Sequence, residues 1–188
     1  LDPHNVNLGD PDRVDNSNTV VKIEPGSATS TNTIVALDGL VIQDGFDETI
    51  NASGNGLGAG AGVFARNSGN FPLTVIIINT TIVGNFAFGQ GGGILNVNAR
   101  VELRESEIIG NAAERGAGYA GFFRELVAIS SLFQSNHLFA PADPAGVVAF
   151  SGAAIYLADG SPSAEVHSCV FLANSSDLGP LGPGVGVI

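Results

Sequence analysis

One block of eleven residues recurs five times, and no other feature of the chain restricts its fold so tightly. The copies occupy residues 35–45, 75–85, 101–111, 126–136 and 164–174, at separations of 40, 26, 25 and 38 residues. In every copy the first, third, sixth and eighth places are small or apolar. The first place reads Val35, Val75, Val101, Leu126 and Ala164, and the third reads Leu37, Ile77, Leu103, Ala128 and Val166. The sixth reads Leu40, Thr80, Ser106, Ser131 and Cys169, and the eighth Ile42, Ile82, Ile108, Phe133 and Phe171. Alternation that changes phase in mid-block describes two short strands meeting at a corner. A helix would put apolar residues where Asp38, Arg104 and His167 stand.

A second motif falls between the blocks, at residues 60–64, 91–95, 119–123 and 152–156, with a weaker trace at 182–186. Small residues followed by bulky apolar ones, as in Gly91-Gly92-Gly93-Ile94-Leu95, mark a tight turn into a third strand. Three short strands per turn, stacked every ~25 residues, make a parallel β-solenoid. The longer units then carry loops, placed at residues 47–60 and 137–146. The expected division is a capping leader over 1–32, a β-helix over 33–176 and a Gly/Pro-rich partial coil or tail over 177–188. Val20, Val21 and Ile23 are the expected apolar plug of the leader.

The Gly91–Ile94 run and the block endings of the Ile108-Ile109-Gly110-Asn111 type resemble the right-handed parallel β-helix proteins of the pectate-lyase-like superfamily. Within it the chain is most similar to non-catalytic polymorphic outer-membrane and adhesin-like repeats. That resemblance implies an all-β solenoid of about five to six coils with an N-terminal capping segment. It leaves activity open, because the same fold serves lyases, hydrolases, adhesins and scaffolds.

Asn85, Asn111, Asn136 and Asn174 close four of the five blocks, with Gly45 in the same place of the first. Asn tolerates left-handed backbone, and its amide can bond the next coil's amide, so the column reads as a structural ladder. Cys169 shares a column of modest volumes and reads as a buried, inert thiol. His4, His137 and His167 lie far apart, with His137 placed in a loop, and no Ser/His/Asp order or metal spacing links them. No catalytic residue is assigned. Asp38, Glu105 and Glu107 do not share columns, and no acidic column accompanies Arg100 and Arg104. The Gly-His-Gly and Arg-Ile-Lys signatures that the resemblance would bring from pectinases are absent. Asp10, Asp12 and Asp15 form a candidate Ca²⁺ loop that lacks a turn Gly and a terminal Glu, and Asp44, Asp47 and Glu48 form a second acidic turn. Among the Asn-x-Ser/Thr sequons at Asn51, Asn79 and Asn174, Asn51 is the comfortable acceptor, since Asn79 reads as a strand residue.

Composition narrows the partners. Seven basic against eighteen acidic residues give a formal charge of −11, which disfavours nucleic acid and anionic membranes. A single Cys excludes an internal disulfide framework, and the longest apolar stretch is too short to span a bilayer. A chain that begins with Leu and holds no Met is expected to be a processed product or part of a longer one. The reading expected from these features is a non-catalytic secreted or surface subunit, extracytoplasmic, that meets a protein partner at its C-terminal coil. A carbohydrate-active or carbohydrate-binding β-helix is the alternative.

Overall fold

The structure, a computed structural model, describes residues 19–25, 32–47, 60–69, 71–139, 152–158 and 163–177. They wind into five coils of four strands each. Coil one holds β1 (Val21–Ile23), β2 (Thr33–Asp38), β3 (Val41–Gln43) and β4 (Phe46–Asp47). Coil two holds β5 (Val63–Arg66), β6 (Leu73–Ile78), β7 (Thr81–Val83) and β8 (Phe86–Gln90). Coil three holds β9 (Ile94–Val97), β10 (Arg100–Arg104), β11 (Glu107–Ile109) and β12 (Ala112–Arg115). Coil four holds β13 (Tyr119–Phe122), β14 (Leu126–Ile129), β15 (Leu132–Gln134) and β16 (His137–Leu138). Coil five holds β17 (Ile155–Leu157), β18 (Ala164–His167), β19 (Val170–Leu172) and β20 (Ser175–Ser176).

Each strand pairs in parallel with its counterpart one coil away, giving four five-stranded sheets. This is a parallel β-helix, about 24 Å tall at ~4.8 Å per coil. The block columns stack in the expected register: Ile42, Ile82, Ile108, Phe133 and Phe171 are successive partners in the third sheet. Ile82, Ile108 and Phe133 are fully buried, and Phe133 stacks on Phe171 at 5.1 Å between ring centroids. One core runs through the first three sheets, while Ala61, Ala87, Ala113, Ala117, Leu138 and Ala153 fill the narrow corner beside the fourth.

Four expectations need correction. The coil has four strands, not three: the residues after each block pair as a fourth sheet, β4 to β20, three of whose five strands are only two residues long. That places His137 in strand β16 rather than in a loop, and Asp47 in β4, where it is buried. Val21–Ile23 is likewise the first strand of the solenoid, in register with Val63–Ala65, so part of the leader belongs to coil one. The third copy of the Gly motif is residues 116–120, three earlier than the sequence suggested, since Tyr119 pairs with Ile94 and Ile155. Gly118 is what demands this register. A Cβ there would lie 2.5 Å from the Ala154 carbonyl oxygen, as one on Gly93 would lie 2.6 Å from that of Gly118.

The corners follow one rule. Between the second and third sheets the chain turns at Gly39, Asn79, Glu105, Ser130 and Ser168, and between the third and fourth at Asp44, Gly84, Gly110, Ser135 and Ala173. All ten have φ between +47° and +67°. The left-handed residue therefore stands one place before the ladder Asn, and Asn79 is an exposed corner residue, not a strand residue. A single left-handed residue redirects the strand and aims the next side chain inward.

Candidate functional site

Two polar systems stand out, one along the axis and one on a lateral face. The axial system begins with the column Asn85, Asn111, Asn136 and Asn174, which the structure brings together. The backbone N–H of Gly45 donates to Asn85 Oδ1 at 2.9 Å, that of Asn85 to Asn111 Oδ1 at 3.0 Å, and that of Asn111 to Asn136 Oδ1 at 3.1 Å. The Asn136 N–H donates to Asn174 Oδ1 at 3.1 Å. Each side-chain Nδ2 also donates down to a carbonyl of the preceding coil: Asn85 to Ile42, Asn111 to Ile82, Asn136 to Ile108 and Asn174 to Phe133. Asn85, Asn111 and Asn136 are buried, and every amide of the column both donates and accepts.

Sequence reasoning missed a second axial ladder. The N–H groups of Leu40, Thr80 and Ser106 donate to the hydroxyls of Thr80, Ser106 and Ser131 at 3.3–3.4 Å. The signal that could have found it is the run of three hydroxyl residues in one column, whose small volume conceals their hydrogen-bonding role. Both ladders start in coil one, where Leu40 and Gly45 carry no side-chain oxygen. Cys169 occupies the hydroxyl column in coil five. It is half-buried rather than buried, and its thiol donates to the His167 carbonyl at 3.4 Å. Coil five has no described coil above it to cover the sulfur.

The lateral system lies on the outer face of the fourth sheet. Register puts Phe46, Phe86, Ala112, His137 and Ser175 in one outward column. His137 Nδ1 lies 3.0 Å from Ser175 Oγ, and its Nε2 lies 3.0 Å from Asp177 Oδ2. A Ser–His–Asp constellation thus exists where the sequence showed none. Its members are 38 and 40 residues apart, and only the pairing of β16 with β20 joins them. The same face carries an aromatic cluster: Phe86 stacks on Phe46 at 5.3 Å and on Phe139 at 4.9 Å, with Phe88 edge-on to all three. The small Ala112 between them leaves room for the Phe86 and Phe139 rings to meet. Glu114, on the strand between Phe88 and Phe139, has its carboxyl pushed above the usual range by burial, with Arg115 opposing.

On the second sheet Arg100 and Arg104 do have acidic partners. Glu102 stands between them on β10, accepting from Arg100 Nε at 2.9 Å and Arg104 Nη2 at 2.6 Å, and Arg100 also pairs with Glu125. Burial pushes the Glu102 carboxyl up, but the two arginine hydrogen bonds outweigh it and hold it below the usual range. No group of three or more metal-ligating side chains occurs among the described residues. Asp10, Asp12, Asp15, His4 and Asn51 lie outside them. No helix among the described residues is long and apolar enough to cross a membrane. Comparison with protein families, with curated proteins and with solved structures found no match to this chain.

Proposed function

We propose that the chain is a structural and binding subunit of a secreted or cell-surface assembly, related to the pectate-lyase-like β-helices, and that a protein partner covers its C-terminal coil. The observation that carries this reading is the state of coil five. Val166 occupies an inward column whose members Ile77, Leu103 and Ala128 are fully buried, yet it is 38% exposed. Phe171 is only half-buried where its column partner Phe133 is fully buried, and Val170 and Leu172, which flank it on the outer face, are 54% and 52% exposed. Apolar strands at a solenoid end favour association with another β-edge. The experiment is the solution mass of the 188-residue chain with hydrogen exchange on coil five. Self-association or partner capture that Val170→Asp abolishes supports the reading. A stable monomer with protected coil-five amides overturns it.

A second reading, glycan binding, is favoured by the Phe46, Phe86, Phe88 and Phe139 cluster, since sugar faces stack on aromatic rings. A glycan array run with and without Ca²⁺ tests it. Binding that survives Phe86→Ala excludes this face.

A further inference from the structure

We propose that Ser175 is a nucleophile for acyl esters, with His137 as its general base and Asp177 as the residue that positions the imidazole. This goes beyond the structural reading above and concerns the side of the solenoid rather than its end.

For a neutral His137 the two contacts assign the proton positions. An ionised Asp177 carboxylate only accepts, so His137 Nε2, 3.0 Å away, carries the hydrogen. His137 Nδ1 then holds a lone pair, and the Ser175 hydroxyl at 3.0 Å is the donor. A hydroxyl donating into an imidazole that a carboxylate orients is the arrangement that activates serine, whichever ring nitrogen faces the hydroxyl. The backbone holds all three groups firmly. His137 and Ser175 are direct partners across the parallel pair, and Asp177 sits two residues on, so its side chain returns to the same face. The Asp177 N–H donates to the Leu138 carbonyl at 2.9 Å, which extends the pairing past β20 and aligns Asp177 with Phe139. Phe139, two residues past His137 and stacked on Phe86, adds an apolar surface to the same outer face. Ser175 is exposed, so an ester reaches it without any strand moving.

The step balances within these residues and water. Ser175 Oγ attacks the ester carbonyl carbon as its proton passes to His137 Nδ1. The carbonyl re-forms as the bond to the leaving alcohol breaks, and that alcohol takes the proton from Nδ1. Water, deprotonated by the same nitrogen, then cleaves the acyl-serine to release the acid and restore the hydroxyl.

The test uses p-nitrophenyl acetate and a fluorophosphonate reagent on the full chain, with adducts located by peptide mass mapping. One adduct on Ser175 is expected, absent in Ser175→Ala. His137→Gln should slow labelling by roughly 10²-fold, and Asp177→Asn by about tenfold or more, while Asp177→Glu retains most of the rate. Urea midpoints of all variants should match that of the parent, because the three side chains are not in the core. An adduct elsewhere, no adduct, or labelling indifferent to His137→Gln overturns the proposal.

Discussion

Asn111 donates its side-chain amide to Asn136 Oδ1, 3.1 Å away in the next coil, while its own Oδ1 accepts two hydrogen bonds from Asn85 in the coil below. One side chain therefore joins three coils. Asn111→Ala removes those links and leaves the Asn85 N–H buried without its acceptor. A loss of about 2–4 kcal/mol is expected, seen as a lower urea midpoint at unchanged slope. Asn174→Ala, at the last described rung, should cost less.

Ile108 lies in the middle of the third-sheet column, fully buried between Ile82 and Phe133. Rigid neighbouring coils cannot collapse into the space it would vacate. Ile108→Ala should cost about 2–5 kcal/mol. Equilibrium unfolding that shows no loss would contradict the register itself.

Two glycines separate backbone strain from steric conflict. Gly110 has φ +59° and open space where a Cβ would sit, and Ala173 adopts the same corner conformation in coil five. Gly110→Ala should therefore cost only about 1 kcal/mol. At Gly118 the added carbon would meet backbone at 2.5 Å, so the coils must part. Gly118→Ala should cost about 3 kcal/mol or more, and thermal unfolding of the two variants compares them directly.

Glu102 and Glu114 should respond to pH in opposite ways. The Glu102 carboxyl is held low, so its stabilisation is present above the ordinary glutamate range and disappears as pH falls through its lowered folded value. Glu102→Gln should lose about 1 kcal/mol at neutral pH, a modest figure because both arginines are half exposed. That difference should vanish in acid. The Glu114 carboxyl is raised, so ionising it costs stability as pH rises through its folded value. Glu114→Gln should stabilise at neutral pH and do little in acid, and denaturation at several pH values measures both.

The columns of the repeat are legible because a parallel register of side chains is written into spacing alone. Val35 to Ala164 and Ile42 to Phe171 need only counting. Other features depend on neighbours in space. Tyr119 falls three places out of register by sequence, because Tyr119-Ala120-Gly121-Phe122-Phe123 imitates the pattern that Gly116-Ala117-Gly118-Tyr119-Ala120 actually fills. Two-residue strands such as β16 and β20 carry no period, so the fourth sheet does not recur legibly from coil to coil in the sequence. With it goes the meeting of His137, Ser175 and Asp177. Glu102 escapes a search of neighbouring coils for acidic partners of Arg100 and Arg104, because it lies between them on their own strand.

The ladders also have a direction. In both, a backbone N–H of one coil awaits an oxygen carried by the coil that follows it in the chain, and the coil-one members of the two columns, Leu40 and Gly45, only donate. A polypeptide emerging from its amino end would find each finished turn already holding the donors that its next turn must satisfy. Such a molecule can be laid down in the order in which it is synthesised. A substitution at one rung would then stall every turn made after it and spare those made before.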